Sequence, residues 1–316
     1  MRAEDSTPGL SLSDTLICGA LGLLLAVVCA PSSAGVVFSA LQDGTWHLYH
    51  QADLDSAPAR IRTMRIDGDM GAARLSPDGS EVAFEVTGAG LHVCPITDDG
   101  GCRSLDQEGG YAVRPAWHPG ARGLVFAHFT FQADEEVSTL HRADASLKQV
   151  EPIIQQTGIQ DFPDVSPDGS RLAYTSWLTV MPYRGRVRVV QQLWTLNLVR
   201  GEAGQLLLSN ASDIHPRWSP DGKRLAFSSN RTGRYEIFTV GADGIGLQQV
   251  TGGPGDKTWP AWSPDGQRIL FTHVQEGRSG LSFVNRGSGE ILPHEPFGAD
   301  ANIQLRDPDW RRAGPE

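Results

Sequence analysis

Apolar and polar residues alternate in short runs along most of the chain. In Arg224-Leu225-Ala226-Phe227-Ser228 they take turns with the period of a half-buried strand, and Tyr235 to Val240 makes a second strand after it. Turn clusters separate such runs: Ser219-Pro220-Asp221-Gly222, then Asn230 to Gly233, then Ala242-Asp243-Gly244. Pro presets its own φ, Asp bonds back to nearby backbone, and Gly takes a positive φ without steric cost. With a further strand at Leu247 to Thr251, residues 214–251 read as four antiparallel strands, A to D, joined by tight turns. That is the unit of a β-propeller blade, with strand A innermost. No long amphipathic helical pattern occurs after residue 34.

The unit recurs, and a fixed period of this length marks a repeat architecture. Pro216-Arg217-Trp218-Ser219-Pro220-Asp221-Gly222 returns as Pro260-Ala261-Trp262-Ser263-Pro264-Asp265-Gly266 and as Pro163-Asp164-Val165-Ser166-Pro167-Asp168-Gly169. Weaker copies run from Ala73 to Gly79 and from Pro115 to Gly120. The aromatic residue of strand B falls at Phe38, Phe84, Phe126, Tyr174, Phe227 and Phe271, in steps of 46, 42, 48, 53 and 44 residues, which suits six blades. The first copy has no strand A ahead of it, and Asp307-Pro308-Asp309-Trp310 supplies one at the far end. The prediction is an all-β, six-bladed propeller of four-stranded antiparallel blades. The C-terminal strand pairs with the N-terminal blade and so removes two open edges. Blades two to six are expected near 72–107, 112–154, 161–209, 214–251 and 259–293. The first takes strands near 36–40, 45–51 and 59–66. B–C and D–A connections then share one face, and the Ser-Pro-Asp-Gly turns line the other. The irregular connections Phe131 to Glu136 and Leu178 to Arg188 fall on the former, where function concentrates in such scaffolds.

The stretch from Trp218 to Gly233, Trp-Ser-Pro-Asp-Gly-Lys-Arg-Leu-Ala-Phe-Ser-Ser-Asn-Arg-Thr-Gly, resembles the propeller repeat of the TolB family, the periplasmic component of the Tol-Pal envelope system. The likeness covers about 36 to 312. TolB carries an α/β domain ahead of its propeller, whereas here the first blade follows directly on the leader. Exported propellers and the propeller domains of prolyl-type peptidases carry similar repeats. The resemblance implies a binding platform whose loop-rich face and central channel mouth meet a protein or peptide of the cell envelope.

The first 34 residues are of another kind. Leu16 to Ala30 is an apolar run too short for a comfortable membrane span. Ser32-Ser33-Ala34 offers small residues for cleavage, so 1–34 reads as a signal peptide, or as an anchor if retained. Residues 35–316 then form the propeller, exported and periplasmic or envelope-associated. The leader has an acidic start, with Arg2 against Glu4, Asp5 and Asp14. The formal charge of the chain is −10, and the leader contributes −2 of it. An acidic domain argues against nucleic acid and anionic lipid as partners. A monomer is expected, touching the membrane only through a retained leader. Cys94 and Cys102 flank a C–D turn, and neighbouring strands bring such residues within disulfide reach. Export makes a bridge the expected state.

Candidate chemistry is sparse. There is no Gly-x-Ser-x-Gly nucleophile elbow. His294-Glu295 lacks the second His of a zinc motif. Asp161, Asp213, Asp256 and Asp307 each fall shortly before the Pro of a strand A, with Arg114, His215 and Trp259 at comparable places. As a ring at the channel mouth they would hold a basic partner segment, or a cation such as Ca²⁺. As separate residues, each Asp would cap its own turn. Tyr183, Arg184 and Arg186 form a basic stretch in an acidic protein, either a solvated loop or a contact for an acidic partner. Trp117, Trp218, Trp262 and Trp310 are expected to pack between blades. The reading drawn is a protein- or peptide-binding scaffold with no cofactor and no catalytic residue. The alternative is a carbohydrate- or ester-active propeller, a hydrolase or lyase with its site at the channel mouth.

Overall fold

The structure is a computed structural model. It describes residues 35–311 apart from 64–65, 98–100, 106–108, 121–122, 133–134, 155, 157, 184–185 and 300; within 178–188 it describes backbone only. The expected leader, 1–34, lies outside the described residues. The described residues form six four-stranded antiparallel sheets. The strands A are Leu305–Arg311, Met70–Leu75, Gly110–Trp117, Gln160–Val165, Asp213–Trp218 and Asp256–Trp262, for blades one to six. Leu305–Arg311 pairs with Gly35–Gln42, setting Val36 opposite Trp310 and Val37 opposite Asp309. The C-terminal strand therefore closes the ring, as the displaced repeat predicts.

The core lies between blades. Phe38, Phe84, Phe126, Tyr174, Phe227 and Phe271 are all completely buried. Phe271 of blade six packs with Ala226 and Ile237 of blade five, and Phe126 of blade three with Ala83, Leu91 and Val93 of blade two. Burying one such ring contributes roughly 1.5–3 kcal/mol. Three strand A tryptophans add a directional link, each indole N–H donating to a carbonyl of the preceding blade. Trp117 reaches the Arg74 carbonyl at 2.9 Å, and Trp218 that of Asp164 and Trp262 that of Arg217 at 3.1 Å each.

Each Ser-Pro-Asp-Gly turn closes on itself. The Ser219 hydroxyl donates to Asp221 Oδ1 at 2.6 Å and accepts from the Arg224 N–H at 3.0 Å, while Gly222 sits at φ 66°. Ser76, Ser166 and Ser263 make the same pair of bonds. Those aspartates serve their turns.

The two long B–C connections differ from expectation. In blade three, strands Leu124–Gln132 and Glu135–Ala143 continue until Gln132 pairs with Glu135. In blade four, Arg171–Tyr183 and Arg186–Asn197 continue until Tyr183 pairs with Arg186. Both are two-stranded arms rather than irregular loops, because backbone pairing satisfies their N–H and C=O groups without a sheet beneath. Cys94 is disulfide-bonded to Cys102 across the C–D turn of blade two.

Candidate functional site

Every strand A carries the same irregularity. Its register with strand B slips between Gly71 and Arg74, Val113 and Ala116, Asp161 and Asp164, Ile214 and Arg217, and Thr258 and Ala261. Blade one slips at the matching place, between Val37 and Ser39 on its strand B. Within each slip one non-glycine residue adopts a left-handed backbone: Ala72, Arg114, Phe162, His215, Trp259 and Asp307, with φ between 49° and 56°. An L-residue pays about 1–2 kcal/mol for that conformation, so six copies mark an architectural device. A bulge re-aims the side chain it carries, and here the target is the ring axis.

Contacts between blades that are not neighbours demonstrate this. The Arg114 guanidinium of blade three lies 5.9 Å from the Trp259 ring centre of blade six, and 5.0 Å from that of Phe162. Phe162 and Trp259, from blades four and six, meet edge to face at 5.5 Å. His215 stacks on Trp259 at 4.1 Å and meets the edge of Phe162 at 4.4 Å. An aromatic plug thus fills the axis. Burial, reinforced by Arg114, Arg217 and Arg74, holds the His215 pKa well below the usual imidazole value, so the ring is neutral.

Two residues further along, four of the six strands contribute to a charged layer, Arg74, Asp164, Arg217 and Asp309, each with 5% or less of its surface exposed, while blades three and six place Ala116 and Ala261 there. Arg217 Nη1 donates to Asp164 at 3.1 Å, and its Nη2 stands 3.8 Å from Asp309. Burial, then repulsion from Arg217, lowers the Arg74 pKa to about 9 against the pull of Asp309 and Asp164. Beyond this layer, towards the Ser-Pro-Asp-Gly face, is a cavity of about 310 Å³ rimmed by Pro77, Pro119, Pro167, Pro220 and Pro264.

Of the residues expected at the channel mouth, Arg114, His215, Trp259 and Asp307 occupy the bulge positions together. The four aspartates do not form one ring. Asp213 is buried and accepts from Arg231 Nη2 on both oxygens, at 2.8 and 2.9 Å; burial raises its pKa. Asp256 is exposed and caps the Tyr235 N–H at 2.9 Å. Asp307 accepts weakly from the Ala72 N–H at 3.4 Å and neighbours Arg306 Nε at 3.3 Å; burial raises its pKa too. Among the described residues no three His, Cys, Asp or Glu side chains gather as metal ligands. Tyr183 and Arg186 end the blade-four arm with their side chains outside the described set, and Arg184 lies outside the described residues.

Asp161 belongs to a different feature. Between blades two, three and four, on the face of the B–C turns and D–A connections, opens a cup of about 810 Å³. Its walls include Glu85, Tyr111, Arg114, Phe129, Glu136, Asp161 and Trp177. Arg114 Nη1 donates to both oxygens of Glu85 at 2.6 Å, which fixes the guanidinium between cup and plug. Tyr111 stacks on Phe129 at 5.3 Å, and its hydroxyl donates to Glu136. Burial, then this carboxylate, pushes the Tyr111 pKa up to about 12. Tyr111 and Trp177 keep 40% and 39% of their surface exposed, enough to offer ring faces to a ligand. The Asp161 carboxylate accepts its neighbour's Phe162 N–H at 2.8 Å and stands 3.9 Å from Arg114 Nε. Burial raises its pKa to about 6, against the pull of Arg114 and with help from Glu85 and Glu136.

The sequence pattern does not single out Glu85, Tyr111 or Trp177, and it marks Glu136 only as the end of the connection from Phe131, since these residues occupy unrelated places in their repeats and meet only through the curvature of the ring. Phe162 carried a usable signal: it directly precedes the strand A proline, as do Arg114, His215, Trp259 and Asp307.

Fold and site together define a six-bladed β-propeller with a filled axis, closed by its own C-terminal strand. The family follows from the sequence: residues 128–304 match the TolB beta propeller domain model, and the chain belongs to that family. It is 30% identical over 174 residues to a Protein TolB homolog of Chlorobium luteolum, covering 54% of this chain and 37% of that protein. The chain thus spans little more than a third of that relative's length. Among solved structures, TolB from Acinetobacter baumannii superposes with a TM-score of 0.69 at 19% identity, covering 88% of this chain and 66% of that one. Oligogalacturonate lyase from Vibrio parahaemolyticus shares the fold with a TM-score of 0.56 at 15% identity, covering 81% and 73%.

Proposed function

We propose that this chain is an exported propeller of the cell envelope that binds a segment of a protein or peptide in the cup on its loop-rich face. The observation that carries the reading is the cup itself: a blind, aromatic-walled recess of about 810 Å³ beside an axis filled by Phe162, His215 and Trp259. The axis beside the cup is closed by the plug, and Arg114 stands between the two, so the cup is a seat and not a passage. Family membership supports a binding role, and the apolar leader and the Cys94–Cys102 bridge support export. Small apolar recesses with a few converging polar groups are the usual form of recognition sites.

The test places a photo-crosslinking residue at Thr87 or Ala89, exposed on the wall of the cup, and at Asp221 on the opposite face, in envelope extracts. One dominant protein adduct from both cup positions and none from Asp221 is expected. Adducts of equal yield from both faces would refute the cup as the site. A cup that captures no protein yet turns over a glycan or ester in a substrate screen would replace this reading with the enzymatic one.

A further inference from the structure

The charges of the cup say what kind of segment fits it. Three carboxylates, Glu85, Glu136 and Asp161, face one guanidinium, Arg114, leaving a net charge of −2 on the wall. Arg114 is already committed to Glu85 through two bonds. Asp161 is sparsely bonded. An ionised carboxylate accepts about four hydrogen bonds, and the one it receives here comes from its own neighbour, Phe162. Arg114 Nε stands 3.9 Å away, past hydrogen-bond length, and is itself a buried donor with no partner. Asp161 keeps only 4% of its surface exposed, so water compensates it poorly. On the walls of the same cup, the exposed rings of Tyr111 and Trp177 suit the aliphatic stem and the charged head of a long cationic side chain.

We infer that the cup seats one basic side chain, Lys or Arg, of an extended peptide segment, its head between Asp161 and Glu136 and its stem against Tyr111 and Trp177. The inference rests on the binding role proposed above and names the chemistry that role selects. An acidic side chain would meet the same three carboxylates and be repelled. A neutral sugar would stack on the aromatic faces but would leave Asp161 without a counter-charge.

Calorimetric titration of the full mature chain with blocked peptides that differ at one central residue tests it. The residue is Lys, Arg, norleucine or Glu. The Lys and Arg peptides are expected to bind about tenfold or more tighter than norleucine, with Glu not binding; a tenfold step is 1.4 kcal/mol. Salt should erode the preference, since Glu136 and the cup mouth are exposed. Glu136→Gln, at an exposed position that does not threaten the fold, should lower the Lys affinity several-fold and leave norleucine unchanged. Asp161→Asn should act in the same direction and more strongly. Equal affinity for Lys and norleucine, preference for Glu, or no peptide binding at all would overturn the inference. So would a neutral oligosaccharide that binds in the cup independently of salt. These failures differ from failure of the platform reading, in which crosslinkers in the cup capture no protein from the envelope at all.

Discussion

Asp161→Asn should make this protein more stable at neutral pH, although it removes a charged group from beside an arginine. The Asp161 pKa is about 6 in the folded chain against 3.8 for an ordinary aspartate, because burial outweighs the attraction of Arg114 at 3.9 Å. An acid whose folded pKa lies above its unfolded one is tolerated best when protonated. Its relative stability is fully present below the unfolded value and is lost as pH rises through the folded value. At 1.36 kcal/mol per unit, ionised Asp161 costs about 3 kcal/mol at about pH 7.5 and about 1 kcal/mol at about pH 4.5. The Asn amide keeps the oxygen that accepts the Phe162 N–H and carries no charge to desolvate. Urea unfolding of wild type and variant across this range reads the difference directly. The variant should lead by about 3 kcal/mol at the upper end, and the gap should close as the solution is acidified. A variant that is less stable at neutral pH, with a gap that ignores pH, would show that Arg114 compensates Asp161 fully. With the peptide titrations, the same substitution should yield a tougher protein that binds worse, the usual trade at a site held for recognition.

Arg217→Met should cost about 3 kcal/mol, because it takes the guanidinium from the buried Asp164 and Asp309 and leaves them the Trp218 and Leu75 N–H groups and Arg311; adding Asp164→Asn should recover part of it in a double-mutant cycle, and a single-variant cost under about 1 kcal/mol would show a layer in no need of pairing. Phe227→Ala, at a completely buried position, should lose about 3–5 kcal/mol in denaturant unfolding. Cys102→Ser opens a loop whose ends are 8 residues apart and should lower stability by about 2.5 kcal/mol without reductant, with no difference once reductant is added. Deleting 305–311 bares the edge of Gly35–Gln42 and should replace a single unfolding transition by aggregation, visible in light scattering.

The ring itself was legible because its signals are local and repeated. Ser-Pro-Asp-Gly dictates one turn, the strand B aromatic dictates one buried ring, and Trp310 declares a strand with no blade of its own at that end. The arms were not legible, since Phe131 to Glu136 has no repeat counterpart and strand pairing depends on the partner rather than on propensity. The axial site was half legible. Acidity near the strand A proline drew notice to Asp161, Asp213 and Asp256, which lie at different distances from it and so point to different places. The residue directly before the proline is the one that reaches the axis. A residue there is normally driven from the α regions towards extended backbone, so its left-handed conformation at Arg114, Phe162, His215, Trp259 and Asp307 runs against the local rule. Only the closed ring, which holds both flanking strands in place, enforces it.

That enforced conformation separates the backbone from the choice of side chain. The six bulges hold nearly one geometry, yet they carry Ala, Arg, Phe, His, Trp and Asp. A scaffold that accepts such unlike occupants at equivalent places behaves as a set of six sockets around a bore. Swapping their contents would retune the width, polarity and charge of the bore while the blades stayed where they are. The ring axis can therefore change one socket at a time, without the chain having to learn a new fold.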